Sequence, residues 1–395
     1  MMMHHSHGGH GDFEEIGHAG GKIEFLRRDG GISMRYSHSS PGPFALFFIA
    51  ASYDGVPIHF VGMRGIGVPF DQIHPSILVP IASDREGMWG AVCPSCSMYF
   101  RTNVGGATLR CGYCEYQAQI IEFLTDNQRA FAVTYCRAFL EAFEADGDVA
   151  IDLDAIASTL TANRPAWVYS EERQQRRIRC ASCDATTDIV GDYGACSGCG
   201  LRNTEIVLKE ALADIRRRYE TAKAELTDQN ARGAEWGRLL VAGVSAFEGA
   251  ANDLRVALLR LPYTPRRRQE LRQLSFQNLI GAAGCLRDWF AIDLLDGISA
   301  PDLEFLRRAT NRRHLVAHKS GIVDQEYINS SGDTSVRLGQ RVRIDSSDIP
   351  RLVRLLGDIG SRFAEGYESL QLPAEPSSQS GRTGARQGSA SRTDS

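Results

Sequence analysis

Four Cys-x-x-Cys pairs constrain the fold of this chain more than any other feature of its sequence. Each pair makes a tight turn that points two thiolates at one centre, and two such turns close a tetrahedral zinc site. The pairs form two groups, with fourteen residues between the pairs of the first group and twelve in the second. The eight cysteines are Cys93, Cys96, Cys111 and Cys114, then Cys180, Cys183, Cys196 and Cys199. Because four thiolates leave no open coordination position, we predict two structural zinc ions, which disfavours a zinc-dependent hydrolase.

The cysteine pattern also indicates a cellular compartment. Eight of ten cysteines are paired in this way in a long chain that opens without a basic-then-apolar leader, so we expect metal binding in a reducing cytoplasm and no disulfides. The other two, Cys136 and Cys285, lie in helix-like apolar stretches and are expected to be small core residues. The longest apolar run, residues 44–52, is too short to cross a bilayer, so we expect no membrane partner.

The chain has the length of several domains, and a hydrophobic content of 43% supports packed cores. We predict a multidomain α+β protein with a β-rich N-terminal module, two zinc ribbons and a C-terminal all-α bundle of four helices. The predicted divisions are a disordered His- and Gly-rich tail or tag at 1–20, the β-rich module at 21–88, zinc ribbon 1 at 89–118, a helical connector at 119–172, zinc ribbon 2 at 173–203, a linker helix at 204–232, the helical domain at 233–371 and a disordered tail at 372–395.

Periodicity and turn residues predict the secondary structure of these divisions. Short apolar runs separated by Gly, Pro and Asp indicate antiparallel strands in the first module. Aromatic residues at four-residue steps predict a buried helix face in the connector; they are Phe131, Tyr135, Phe139 and Phe143. In the helical domain we predict helices at 235–261, 267–290, 301–318 and 349–370, with a hairpin insertion at 328–344.

The ribbons permit two interpretations. The net charge of −4 excludes a globally basic nucleic-acid coat, so binding of nucleic acid would need local patches. Ribbon 1 has an aromatic and basic mixture suited to stacking bases: Tyr99, Phe100, Arg101, Arg110, Tyr113 and Tyr116. A basic run precedes ribbon 2: Arg173, Arg176, Arg177 and Arg179. The other interpretation is that both ribbons are metal-stapled spacers with solvated charges, and the sequence leaves both open.

A basic and histidine-rich stretch ends the third predicted helix of the helical domain. Two histidines, His314 and His318, lie four residues apart behind two adjacent arginines, a combination that can hold a phosphate and move protons near neutral pH. At about 100° per residue, Asn311 and both histidines share one helix face, within about 60° of each other. Arg313 lies about 140° from His318, on the apolar side of the same helix.

The position of Arg313 requires an explanation, because an arginine on an apolar stripe is rarely tolerated without a paired carboxylate. The helix could restart near Thr310, an acid such as Glu248 or Asp288 could pair with the guanidinium, or the stripe could be a subunit interface. A solvent-exposed basic helix end is the simplest alternative for the stretch as a whole.

Residues 233–371 resemble the HEPN superfamily of small four-helix domains, many of which are RNA-cutting toxins or antiviral effectors. Its signature is an arginine, usually followed by Asn, Asp or His, with a histidine a few residues further on. Arg313 matches this signature, because His314 follows it and four residues separate it from His318. Arg312 matches the form of the signature in which five residues separate the arginine from the histidine. Two flanking segments are also similar to members of this group: 275–279 and 321–328.

The resemblance implies a metal-independent endoribonuclease that acts on RNA as a homodimer, in a toxin or phage-defence role, with zinc ribbons for recognition. It implies that Arg313 neutralises the scissile phosphate and that His318 acts as general acid or base, assisted by His314 and Asn311. The expected product is a 2′,3′-cyclic phosphate. Because some HEPN-like domains are not catalytic, the alternative is a nucleic-acid-binding or scaffold protein that dimerises through its helical domain.

Overall fold

A computed structural model describes residues 13–17, 20–28, 31–37, 46–52, 60–65, 76–82, 87–160, 169–172 and 175–370 of the chain. The predicted C-terminal tail, most of the predicted N-terminal tail and Arg173 lie outside these ranges. The described part is a mixed α+β protein, with small antiparallel sheets in its N-terminal half and helices in its C-terminal half. Its helices include none with the combination of length and apolar character that crossing a bilayer requires.

The strands of the described ranges form five small sheets. In chain order the strands are β1 (Phe13–Gly17), β2 (Lys22–Arg28), β3 (Gly31–Ser37), β4 (Leu46–Ser52), β5 (Phe60–Gly65), β6 (Ser76–Ala82), β7 (Trp89–Val92), β8 (Tyr99–Thr102), β9 (Thr108–Arg110), β10 (Gln117–Gln119), β11 (Val149–Asp152), β12 (Tyr169–Glu172), β13 (Gln175–Arg179) and β14 (Thr186–Val190). The α-helices are α1 (Asp126–Glu144), α2 (Leu153–Leu160), α3 (Thr204–Glu225), α4 (Gln229–Leu258), α5 (Pro265–Gln273), α6 (Leu279–Phe290), α7 (Ala300–His318), α8 (Gln325–Ser331) and α9 (Asp348–Leu370).

Two three-stranded sheets, ordered β11-β2-β3 and β5-β4-β6, form the predicted antiparallel β module. Strand β11, however, follows the first cysteine group in the chain, and it sets Ile151 opposite Ile23 of β2. Helix α1 packs on the same core, where the ring centroids of Phe25 and Phe139 are 5.1 Å apart. The predicted connector therefore belongs to the N-terminal core up to α2, because its apolar faces are buried against β2.

Strand β1 lies within residues 1–20, which the sequence predicts to be disordered. It pairs antiparallel with β12 and places Phe13 opposite Glu172. The prediction of disorder is therefore wrong for residues 13–17. The order comes from backbone pairing with a strand some 150 residues away, which the local Gly- and His-rich composition does not indicate.

The two cysteine groups share one four-stranded sheet, ordered β13-β14-β8-β7. Strand β8 belongs to the first group and β14 to the second, and they pair antiparallel with Asp188 opposite Arg101. The two side chains form an ion pair and are 2% and 1% exposed. The predicted ribbons at 89–118 and 173–203 thus form one unit, which we call the double ribbon, although the connector separates them in the sequence.

Outside the shared sheet, the backbones of the two ribbons also meet at two glycines, Gly112 and Gly194. The amide of Ala195 donates a hydrogen bond to the carbonyl oxygen of Gly112 at 2.8 Å. A Cβ atom on Gly194 would lie 2.4 Å from Cδ1 of Ile189 and 2.9 Å from that same carbonyl oxygen. Glycine is required here because a hydrogen-bonded backbone oxygen cannot move aside.

Gly194→Ala is expected to lower the free energy of unfolding by about 1–3 kcal/mol, because the added methyl overpacks the contact between the ribbons. Urea denaturation followed by circular dichroism measures the change. Gly284→Ala is the matched control: Gly284 lies inside α6, and nothing is within 4 Å of its added Cβ. That variant should gain up to about 1 kcal/mol from helix propensity. Equal effects of the two substitutions would contradict the close approach.

The helical half is a bundle in which α3, α4, α7 and α9 surround one apolar core. Helix α3 buries Leu208, Leu212 and Ile215, each less than 5% exposed. A Cβ on Gly360 of α9 would lie 2.2 Å from Cδ2 of Leu208, so these two helices are in close contact. Helix α3 is therefore a bundle helix and not the predicted linker, and the domain begins near residue 204 rather than 233.

The predicted helices at 235–261, 301–318 and 349–370 are confirmed as α4, α7 and α9 within six residues at their ends. The predicted helix at 267–290 is instead α5 and α6, because Asn278 caps a new helix by accepting a hydrogen bond from the amide of Gly281 at 3.1 Å. The predicted hairpin at 328–344 is wrong. Residues 325–331 form α8, since Asp324 accepts a hydrogen bond from the amide of Tyr327 at 2.8 Å and starts a helix there.

Glu115 joins the double ribbon to the helical domain. Its carboxylate accepts hydrogen bonds from Arg202, from Nη1 of Arg260 at 2.6 Å and from the hydroxyl of Tyr367 at 3.0 Å. Arg202 also binds Asp253 of α4, with Nε 3.1 Å from Oδ2. The side chain of Arg202 is only 5% exposed, so these charged contacts are buried between the two halves of the protein.

Candidate functional site

Each cysteine group brings four sulfur atoms within 4.8 Å of one another. The Sγ–Sγ distances are 3.5 Å for Cys93–Cys114, 3.7 Å for Cys96–Cys111, and 3.5 Å for both Cys180–Cys199 and Cys183–Cys196. A tetrahedral zinc ion about 2.3 Å from each thiolate requires sulfurs about 3.8 Å apart. Both groups are therefore compatible with zinc, and a bound ion would have all four positions filled by protein.

The four Cys-x-x-Cys turns share one backbone geometry. The residue directly after the second cysteine of each pair is left-handed, with φ of 60° at Ser97 and Glu115, 62° at Asp184 and 84° at Gly200. Its amide donates a hydrogen bond to the carbonyl oxygen of the first cysteine at 2.8–3.0 Å. The sequence predicts this left-handed conformation only at Gly200, because residues other than glycine, such as the Ser, Glu and Asp at the other three positions, rarely adopt a positive φ.

The aromatic and basic side chains of ribbon 1 are mostly engaged inside the protein. Phe100 and Arg101 are buried, and the hydroxyl of Tyr113 donates to the carbonyl oxygen of Tyr99 at 3.1 Å. Tyr116 is the most open of the set at 38% exposed. These residues therefore build the double ribbon and offer little open surface on which bases could stack.

The arginines before ribbon 2 lie beside carboxylates. Three contacts are Arg176–Glu210 at 2.6 Å, Arg177–Asp188 at 3.7 Å and Arg179–Asp184 at 2.7 Å. Their charges are thus largely compensated within the chain. Together with the engaged aromatic residues, this favours the interpretation of the ribbons as a metal-stapled structural unit.

Helix α7 presents the predicted polar face to solvent. His314 and His318 are exposed, and their ring centroids are 5.1 Å apart. Asn311 is half-buried: its Oδ1 accepts a hydrogen bond from the hydroxyl of Ser330 at 2.9 Å, and its Nδ2 donates to the carbonyl oxygen of Arg307 at 2.8 Å. The three residues share a face, and two of them offer imidazoles that a ligand can reach.

Arg313 lies on the side of α7 that faces α4. Its Nη2 is 2.8 Å from Oε2 of Glu248, and the two side chains are 18% and 14% exposed. Burial raises the pKa of Glu248, and the neighbouring guanidinium opposes that rise. The helix runs without a break past Thr310, so the paired carboxylate is the explanation that the structure provides for the position of Arg313.

Arg312 belongs to a network that the sequence does not indicate. Its Nη2 is 2.9 Å from Oδ2 of Asp333, and its Nε donates to the hydroxyl of Tyr327 at 3.2 Å. Burial would raise the pKa of Asp333, but hydrogen bonds from Ser335, Tyr327 and Arg312 outweigh it and hold that pKa well below its usual range. Arg312 therefore joins α7 to the segment after α8. The local sequence signal in this region is the Gly332-Asp333 pair, which is typical of a hairpin turn and underlies the incorrect prediction of a hairpin.

The candidate residues are divided between two sides of α7. The imidazoles of His314 and His318 face solvent, whereas Arg313 turns toward α4 about 140° away from His318. One chain by itself does not set the guanidinium beside the imidazoles. A centre that combines them requires a second chain, or release of Arg313 from Glu248.

Comparison with protein-family models, with curated proteins and with solved structures finds no match to this chain.

Proposed function

We propose that this protein is a metal-independent endoribonuclease of the HEPN type, active as a homodimer, in a toxin or phage-defence role. The observation that carries the proposal is the exposed pair His314 and His318, which lie one turn apart on the helix that also carries the half-buried Arg313. Imidazole is the side chain whose ordinary pKa lies near neutrality, so such a pair can donate and accept protons at physiological pH.

The chemistry is a transesterification that needs no metal ion. An imidazole removes the proton of a ribose 2′-hydroxyl, whose oxygen attacks the adjacent phosphorus, and the 5′-oxygen leaves with a proton from a second acid. His318 is the proposed acid or base, with His314 and Asn311 beside it. Arg313 from the neighbouring chain would neutralise the charge that develops on the phosphate. The products are a 2′,3′-cyclic phosphate and a 5′-hydroxyl.

A second candidate is a non-catalytic nucleic-acid-binding or scaffold protein that dimerises through the helical domain. The ion pair between Arg313 and Glu248 favours it, because an arginine held by a carboxylate already has a structural task. In either case, the double ribbon would hold the helical domain in place through Glu115 rather than read the target.

Replacing His318 with alanine is expected to lower RNA cleavage by about 100-fold or more, the usual contribution of a general acid or base. Arg313→Ala should have an effect of similar size through lost charge stabilisation. Cleavage of a labelled RNA is followed in EDTA, with retained zinc checked separately, and mass spectrometry identifies the cyclic phosphate. Arg337→Ala removes an exposed arginine outside α7 and is the control, with no expected effect.

The double variant Arg313→Ala/Glu248→Ala separates the two tasks of Arg313. It should recover part of the thermal stability that Arg313→Ala loses, because no carboxylate is left unpaired, while cleavage stays low. Recovery of cleavage in the double variant would show that Arg313 is structural. A parent protein that binds RNA without cutting it would favour the second candidate.

A further inference from the structure

A groove of about 1040 Å³ lies between the turn that joins α3 to α4 and the segment 341–346, beside the C-terminal end of α7. Trp236 contributes to its wall but is only 4% exposed, and its ring packs against Tyr219 with centroids 4.9 Å apart. The groove therefore offers space for a ligand but no open aromatic face on which a base could stack.

The groove is lined by four cationic side chains and one carboxylate. The cations are Lys223, Arg232, Arg341 and Arg343, and the carboxylate is Asp345. Arg343 and Asp345 are 84% and 62% exposed and lie 3.4 Å apart, so solvent screens their interaction. Arg232 donates to the backbone carbonyl oxygens of Leu226 and Lys223, which leaves its charge uncompensated. Within the described ranges, no ion pair engages Lys223, Arg232 or Arg341, so the groove carries excess positive charge.

Neutral hydrogen-bond donors complete this lining. Gln229 and Asn230 in the first turn of α4 present side-chain amides, and Ser320 presents a hydroxyl. The N-cap residue Asp228 already accepts from the amide of Ala231 at 2.7 Å, so these donors come from side chains rather than from the helix terminus. Cations and neutral donors without an aromatic platform suit the oxygens of a phosphate chain.

We propose that this groove holds the phosphate backbone of single-stranded RNA without reading its bases. The choice of RNA rests on the proposed function, whereas the polyanion chemistry follows from the groove alone. The groove lies on the Arg313 side of α7, since its wall residue Val316 follows Arg313 by three positions, about 60° around the helix. The groove and Arg313 therefore lie on the same side of α7, although Arg313 is not among the groove's lining residues.

The test is the salt dependence of binding to a 12-nucleotide 2′-O-methyl RNA, which lacks the attacking hydroxyl and is not cleaved. Fluorescence anisotropy gives the affinity between 50 and 200 mM salt. Each phosphate contact on a single strand contributes about 0.7 to the slope of log K against log salt, so Arg341→Ala/Arg343→Ala should reduce the slope by about 1.4. Arg216→Ala/Arg337→Ala removes the same charge from exposed sites outside the groove and should leave the slope unchanged.

Two further arms identify the ligand. Affinity should rise from dinucleotide to dodecanucleotide and should be similar for uridine and adenosine oligomers, as expected for a backbone path. Equal slopes for the groove and control variants, affinity that is independent of length, or a strong base preference would each overturn the proposal. If the groove variant weakens RNA binding as expected but the parent protein does not cleave ordinary RNA, the nuclease proposal is refuted and the groove proposal stands. If the parent protein cleaves RNA and the groove variant binds RNA as well as the parent does, the groove proposal is refuted and the nuclease proposal stands.

Discussion

Cys196→Ser is expected to reduce the zinc content from two ions per chain to one and to destabilise both ribbons. Structural zinc binding contributes about 10–16 kcal/mol in isolated zinc fingers, which a small unit cannot replace with its core. Cys196 belongs to the second cysteine group. The loss of stability should nevertheless extend to the first ribbon, because β14 of the second group pairs with β8 of the first. Elemental analysis measures the zinc, and hydrogen exchange followed by mass spectrometry measures the protection of each strand.

Cys285→Ser is the matched control for this experiment. Cys285 is half-buried in α6 and belongs to neither cysteine group, so that variant should retain two zinc ions and full strand protection. Loss of protection confined to β13 and β14 in the Cys196→Ser protein would mean that the ribbons fold independently. Retention of two zinc ions would mean that Cys196 is not a ligand.

Arg202→Ala is expected to cost about 3–5 kcal/mol of unfolding free energy, because it removes the cation that pairs with the largely buried Asp253 and one of the cations beside Glu115, which keeps its contact with Arg260. The side chains of Glu115 and Asp253 are 9% and 12% exposed, so solvent cannot replace the lost partner well. Urea denaturation followed by tryptophan fluorescence and by circular dichroism measures the effect. We expect the two signals to separate into two transitions, since Arg202 joins the double ribbon to α4.

The control for Arg202 is Arg179→Ala. Arg179 pairs with Asp184 at 2.7 Å, but the side chains are 75% and 69% exposed, so its removal should cost less than about 1 kcal/mol. Similar costs for the two variants would argue against a buried charge cluster between the halves. A single shared transition in Arg202→Ala would show that other contacts suffice to couple them.

The cluster around Glu115 also links the first cysteine group to the helices. Glu115 directly follows Cys114, so the left-handed turn that places the last thiolate also aims the carboxylate at Arg260 and Tyr367. The packing of α9 against the double ribbon therefore depends on the same turn that positions Cys114 in the first cysteine group. Neither Arg260 nor Tyr367 belongs to a motif, and the sequence contains no local signal for this contact.

The arginine-histidine stretch shows which features of a site helical periodicity can predict and which it cannot. It correctly places Asn311, His314 and His318 on one face and Arg313 on another, since side-chain directions within a helix follow from its pitch. Periodicity also identifies Arg313 as needing a partner, for which Glu248 and Asp288 are the candidate acids in the sequence. The choice between Glu248 and Asp288 depends on how α4 and α6 pack against α7, which is a property of the assembled bundle.

The sequence by itself determined the cysteine groups, the antiparallel strands and the main bundle helices, because these depend on residues close together in the chain. The tertiary structure alone decided that the ribbons share a sheet, that α3 belongs to the bundle and that β1 is ordered. Each of these depends on pairing between segments far apart in the chain. Such pairing is set by complementary shape and by buried charge, as between Arg101 and Asp188. The sequence around each of these residues does not indicate that the two will pair.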